Sequence, residues 1–267
     1  MTAGPAQIKA CCAAAYSRDA VALLLGETYH PGGLALTRRL AAALGLRPGQ
    51  RVIDVAAGPG ATARLLAAEY GVTVDGVDLG QAAVARARAD AAGAGLSGQI
   101  CFHEGDAERL PFPDATADAV ICECAFCTFP GKQAAAAEFA RVLRPGGRVG
   151  ITDVTATGDG LPRELTTLTA WAACIAGARP EQQYADTLTA AGLQVTGQER
   201  HDAAMARMIG QIDARVRLLR MTAAGRLADA GIDADTVLRY TALARQAVAD
   251  GLIGYHMLIA EKPRPLP

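Results

Sequence analysis

The sequence predicts an α/β chain built on a doubly wound, mostly parallel sheet of seven strands, with helices ahead of it and a helical insertion between its last two strands. Three observations lead there. Short β-branched segments alternate with helical patterns every twenty to thirty residues from about residue 50 to 153, which is the pattern of βαβ units. One of them, Arg51-Val-Ile-Asp-Val55, runs into Gly58 and Gly60 and then directly into the helical pattern of Ala61, Leu65, Leu66 and Ala68. Beyond Asp153 the alternation gives way to a long helical stretch before a last strand near residue 254.

Taken in order, Ile8, Cys11, Cys12, Ala15, Val21 and Leu24 have helical spacing, and the polar patch Tyr16-Ser-Arg-Asp19 divides them into two short helices. Cys11 and Cys12 are adjacent, so both cannot face one core. Gly26 to Gly33, with His30-Pro31-Gly32-Gly33, is a loop by its breakers and a candidate lid or substrate wall. Leu34 to Leu44 is amphipathic, and Leu46 to Gln50 turns into the first strand. Strands follow at 72–77, 99–104, 118–122 and 148–153, with helices from Gln81 to Ala92 and over 132–142. Leu161 to Ala178 reads as a helix, Tyr184 to Ala191 as another, and Leu193 to Glu199 as a strand. Residues 202–250 are helical with Met205, Met208, Ile212, Val216, Leu219 and Met221 apolar, and Gly254 to Glu261 is the last strand. The three methionines read as core, and Arg215, Arg217 and Arg220 as a solvated face. His103 and His256 fall within strands and read as structural; His30 is the one to test as a base or ligand. The domain division expected is 1–44 as a helical cap or lid, 45–200 with 252–262 as the core, and 201–251 as a helical insertion.

Composition excludes some functions. With 26 basic against 27 acidic residues in 267, the chain carries no dense cationic field of the kind that phosphate backbones attract, so no nucleic-acid partner is expected. No run of about 18 apolar residues and no charged leader followed by an apolar core occurs, which argues against a membrane partner and for a cytoplasmic protein. Cysteines stand at 11, 12, 101, 122, 124, 127 and 174, an odd number in no disulfide-like spacing. In a reducing compartment they are thiols, metal ligands or packing.

Ligands of parallel sheets lie beyond the carboxyl ends of the strands, where Asp54 with Gly58 and Gly60, Asp78, Asp106 and the 122–127 segment all fall. A glycine turn alone can serve merely to change direction. The full dinucleotide pattern is missing: read from Ala56 it lacks its first glycine, and read from Gly58 it lacks its last, at Ala63. Asp78, after the second strand, can accept from ribose hydroxyls. The ligand suggested is a nucleoside without phosphates. Gly105-Asp-Ala-Glu108 is either a surface turn or an adenine site, with Asp106 accepting from the amino group and Ala107 offering its backbone N–H.

The series Val52-Ile-Asp-Val-Ala-Ala-Gly-Pro-Gly60, Gly76-Val-Asp-Leu79, Gly105-Asp-Ala-Glu-Arg-Leu-Pro-Phe112 and Phe139-Ala-Arg-Val-Leu-Arg-Pro-Gly-Gly147 resembles the class I S-adenosylmethionine-dependent methyltransferases. The resemblance covers roughly 45–155. It implies a Rossmann-like methyltransferase fold with the last two strands antiparallel and the intervening helices over the cleft, S-adenosylmethionine as cofactor, and a methyl acceptor as substrate. Asp54, Gly58, Gly60, Asp78, Leu79, Asp106, Ala107 and Cys122 would then line the cofactor. Ala56 departs from the glycine of many members, and its small size suggests no loss of binding.

A narrower likeness concerns the thiols. Ile121-Cys-Glu-Cys-Ala-Phe-Cys127, Thr152-Asp-Val154 and Trp171-Ala-Ala-Cys-Ile-Ala-Gly-Ala178 resemble the arsenite methyltransferases, and carrying that over makes Cys124 and Cys174 the reactive pair, with Cys122 and Cys127 beside them. Cys11 and Cys12 would join Cys124 and Cys174 as metalloid ligands, although the family's upstream cysteines stand in a different context. Thiolates suit a soft metalloid, and three of them on trivalent arsenic leave its lone pair free for the methyl group. Cys122 and Cys124 share a side if the fourth strand continues through them. A small-molecule or metalloid acceptor is implied, with a cellular thiol as possible reductant. Open beside this stand a four-thiolate zinc site, whose paired two-residue gaps are missing here, plain core packing, an oxygen- or nitrogen-directed methyltransferase with a general base, and a thiol-rich sensor without turnover.

Overall fold

The computed structural model describes residues 4–16, 19–26, 28–158, 160–166 and 174–265. Three helices come first: α1 (Pro5–Tyr16), α2 (Asp19–Leu25) and α3 (Gly33–Leu44). The parallel core then runs β1 (Arg51–Val55), α4 (Ala61–Tyr70), β2 (Thr73–Asp78), α5 (Gln81–Gly93), β3 (Ile100–Glu104), β4 (Ala117–Glu123), α6 (Lys132–Val142) and β5 (Leu143–Ala156). It is followed by α7 (Glu181–Ala190), β6 (Gln194–Arg200), the helices α8 (Asp202–Thr222), α9 (Ala224–Asp229) and α10 (Ala234–Ala249), and β7 (Ile253–Glu261).

The seven strands form one sheet in the order β3-β2-β1-β4-β5-β7-β6. β1 pairs in parallel with β2 and β4, while β7 lies antiparallel to both β5 and β6. Alternation along each strand divides the core. Val52 and Ile121 pack with Leu40, Leu44, Leu66 and Val84 of α3, α4 and α5 on one face. Ile53, Val55, Val120 and Cys122 pack with Phe139, Leu188 and Met205 of α6, α7 and α8 on the other. The order changes direction between β1 and β4, so their carboxyl ends open a crevice at the switch point.

Several expectations are corrected. Leu161 to Ala178 is no continuous helix: Arg163–Thr166 is a 3₁₀ turn, 167–173 lie outside the described residues, and Cys174 has φ 65°, a left-handed value that a right-handed helix cannot hold. The 202–250 stretch breaks into three helices, at Ala223 with φ −154° and again before Asp233, which caps α10 by accepting from Asp235 N–H. Met205 is core, but Met221 is 84% exposed. Arg217 and Arg220 are exposed and bridge to Asp213 and Asp235, whereas Arg215 reaches back to donate to the Leu24 carbonyl and ties α8 to α2.

Candidate active site

A cleft with about 1060 Å³ of empty space, open solvent included, lies over the carboxyl ends of β3, β2, β1 and β4. Asp54, Gly58, Asp78, Leu79, Asp106 and Ala107 line it from the strand ends, and Thr28, Tyr29 and His30 form one wall, as the 26–33 loop was expected to do. The cover comes from α1, through Lys9, Cys12 and Ala13. None of the described residues of α8, α9 or α10 lines the cleft, so the expectation that the insertion lies over it is corrected; its contacts go to α2 and β7.

The turn after β1 is built around Asp78. One of its carboxylate oxygens accepts from Gly58 N–H at 2.9 Å and the other from Gly80 N–H at 2.8 Å, which holds the ends of β1 and β2 together. Burial pushes the Asp78 carboxyl up against the pull of these two bonds. Ala56 and Gly58 both take left-handed backbone, with φ 58° and 51°. The alanine therefore carries about 1 kcal/mol of strain that a glycine would not. Gly60 is absent from the cleft wall that its neighbours Pro59 and Ala61 line, and a Cβ there would stand 2.5 Å from the Phe102 ring. Its glycine serves packing.

Asp54 is 3% exposed, and its Oδ2 has no hydrogen-bond partner although the residue lines the cleft. Burial, then Glu123 and Asp78, push its carboxyl well above the usual range, while a backbone N–H from Ala63 opposes them. Glu123, which sequence reasoning passed over, lies beside it. Thr62 donates to Glu123 Oε2 at 2.6 Å, Thr37 reaches both its oxygens at 3.1 and 3.2 Å, and His30 Nε2 is 3.6 Å away. Its period-2 placement, two residues beyond Ile121 on the α3/α4 face, was the available signal.

Asp106 accepts from Glu108 N–H at 2.9 Å, and Lys9 bridges Asp106 and Glu108, each at 2.7 Å, pinning α1 to the β3 end. His103 pairs with Asp75, and His256 is held between Thr155 and Glu181, so both are structural.

The thiols are sorted by the end of β4. The strand stops at Glu123 and Cys124 has φ 52°, yet Cys124 packs against the same core cluster as Cys122. Cys122 is fully buried on the α6 face and does not line the cleft, which corrects its placement beside the cofactor. Cys12 and Cys124 do line it; Cys11 does not. Behind the wall, Cys174 donates its thiol to the Cys124 carbonyl at 3.2 Å, and the Cys124 and Cys127 thiols both contact that of Cys174. Burial raises Cys12 to about 12, with Cys174 adding to the effect. No group of three or more His, Cys, Asp or Glu among the described residues stands in metal-ligating geometry.

Below this cluster, Asp153 is fully buried and accepts from Cys127 N–H at 2.9 Å and Val154 N–H at 2.7 Å. Burial foremost, then Cys174, raises its carboxyl from 3.8 to about 7. The folded state holds this proton more tightly than the unfolded chain. Stability should therefore fall as pH rises from 3.8 to about 7 and level off above. In Asp153→Asn that slope should disappear from melting temperatures measured across the range; an unchanged slope would assign it to another group.

Residues 52–147 match the family model described as a methyltransferase domain. An uncharacterized protein of Mycobacterium tuberculosis is 42% identical over 137 residues, 51% of this chain and 47% of that one. The 27-O-demethylrifamycin SV methyltransferase of Amycolatopsis mediterranei is 37% identical over 118 residues, 44% of this chain and 43% of that one. The chain thus spans about half the length of the curated relatives it matches. Among solved structures, phosphoethanolamine N-methyltransferase 2 of Haemonchus contortus with S-adenosyl-L-methionine superposes with a TM-score of 0.79 at 21% identity, over 92% of this chain and 56% of that one. No described helix is long and apolar enough to cross a membrane.

Proposed function

We propose that this chain is an S-adenosylmethionine-dependent methyltransferase that transfers the methyl group to a small-molecule acceptor bound at the β4 end of the cleft. The observation that carries the reading is Asp54, a buried carboxylate with an unpartnered oxygen in a cleft that otherwise suits a nucleoside. A buried carboxylate without a partner is costly, and the ammonium of the cofactor's methionine end would satisfy it. Asp78 would take the ribose hydroxyls, Asp106 and Ala107 the adenine, and Gly58 and Leu79 would lie against the cofactor. When bound, the cofactor supplies an electrophilic methyl group. The protein's part is to hold a nucleophile in line with it and keep water out. We assign the cap role to 1–44, with α1 over the cleft, the core to 45–200 and 252–262, and a bracing role to 201–251.

A finer reading makes the acceptor a thiolate-bound metalloid such as trivalent arsenic. It is favoured by Cys12 and Cys124 on the cleft wall, with the Cys127 and Cys174 thiols buried behind it. The reduced cytoplasm would keep these thiols free, and a cellular thiol would regenerate them. Labelled cofactor, trivalent arsenic and a thiol reductant test both levels. Methylated arsenic that falls at least about tenfold in Cys124→Ser and Cys174→Ser is the expected result. Turnover of organic acceptors that survives both substitutions would reject the metalloid and keep the methyltransferase. A general base at His30 would then be the route for an oxygen or nitrogen acceptor.

A further inference from the structure

We infer that Glu123 selects the acceptor by charge: the β4 end of the cleft takes an uncharged lone-pair nucleophile and turns away acceptors that bring a carboxylate or phosphate to the methyl group. This rests on the methyl-transfer reading and deepens it by naming the class of substrate.

The Glu123 side chain is 4% exposed, yet the residue lines the cleft. Its close partners are the neutral hydroxyls of Thr37 and Thr62, and the nearest imidazole nitrogen, His30 Nε2, is 3.6 Å away. Beside it Asp54 Oδ2 has no partner at all. The ammonium among the described lining residues, Lys9, is held 2.7 Å from Asp106 and Glu108 at the far β3 end. Among the described residues, the β1–β4 end thus holds two buried carboxyl groups with the His30 imidazole, and no lysine or arginine, beside them. Such charge is expensive to bury, and beyond the His30 imidazole a cation arriving with what binds would compensate it.

A cofactor running from Asp106 past Asp78 to the Gly58 turn brings its methionine end to β1 and β4, since the sheet order is β3-β2-β1-β4. Its ammonium suits Asp54, which leaves the sulfonium for Glu123. In the transfer, the acceptor's lone pair forms the new bond to the methyl carbon. The carbon–sulfur bond breaks with its electrons to sulfur, which becomes neutral. With an uncharged acceptor the positive charge passes to the methylated product and stays near Glu123. With an anionic acceptor it is annihilated, and the carboxylate is left buried and uncompensated. Amine nitrogens and the lone pair of a trivalent metalloid fall in the favoured class.

A purely structural Glu123, tying α3 and α4 to β4 through its threonines, would hold equally well as the isosteric amide. The test therefore reads charge. S-adenosylhomocysteine, neutral at sulfur, and sinefungin, which carries an ammonium where the methyl group sits, are titrated calorimetrically into the wild-type chain and Glu123→Gln. The wild type should bind sinefungin about tenfold more tightly, and the variant should lose that preference while keeping its S-adenosylhomocysteine affinity within about twofold. Thr62→Val, which removes a hydroxyl but keeps the charge, should retain the preference, and it serves if Glu123→Gln does not fold. Equal affinities in the wild type, a preference that persists in Glu123→Gln, or one lost in Thr62→Val overturns the inference. A folded wild type that binds neither analogue overturns the methyl-transfer reading instead.

Discussion

Asp78→Ala should lower the affinity for S-adenosylmethionine at least about 100-fold, measured by calorimetry on the otherwise intact chain. The expected size follows from two losses. The carboxylate would accept from the ribose, and charge-assisted hydrogen bonds are worth about 1.5–3 kcal/mol each. It also accepts from Gly58 N–H and Gly80 N–H, so its removal frees the turn against which the cofactor would lie. Stability should suffer less than binding, because burial already disfavours the Asp78 charge and its removal relieves that cost. Asp78→Asn should fall between, retaining one acceptor oxygen for the turn. Binding of Asp78→Ala within threefold of wild type would remove this residue from the cofactor site and leave it a turn residue.

Gly60→Ala should destabilise the fold by about 2–5 kcal/mol in urea unfolding. The added Cβ would stand 2.5 Å from Phe102 Cζ and 3.2 Å from the Ala87 Cβ, at a residue with φ 73°. Two costs combine: overpacking of a filled core, about 1–3 kcal/mol, and a left-handed conformation for an L side chain, about 1–2 kcal/mol. Phe102→Leu in the same chain should recover the first and leave the second. Because Gly60 packs toward Phe102 and not into the cleft, cofactor affinity of the folded fraction should stay near that of wild type. A loss of binding without a loss of stability would return Gly60 to the cofactor site.

The contrast between Gly58 and Gly60 shows where sequence reading ends. Both glycines were legible as one turn, but only the packing of Phe102 from β3 reveals that the second is demanded by the core. The helical character of Pro5–Tyr16 and Asp19–Leu25 was legible because local period is carried by neighbouring residues; Ser17 and Arg18, where the break was expected, lie outside the described residues. The extent of β5, which runs from Leu143 rather than Arg148, was not, because strand ends depend on partners elsewhere, here Ala117 of β4.

The sequence by itself determined the parallel α/β core, its turn after β1, the acids after β1, β2 and β3, and the 26–33 wall. These signals are short-range: β-branched runs, glycine breaks and polar residues at strand ends say the same thing wherever the chain goes. Tertiary structure alone decided what each thiol and carboxylate faces. Cys124 reaches the cleft wall from the core cluster it shares with Cys122, and the threonines of α3 and α4 converge on Glu123. It also decided that α1, rather than the late helices, covers the cleft. Burial, unpaired charge and positive φ arise from residues far apart in the chain, so they exist only once it has folded.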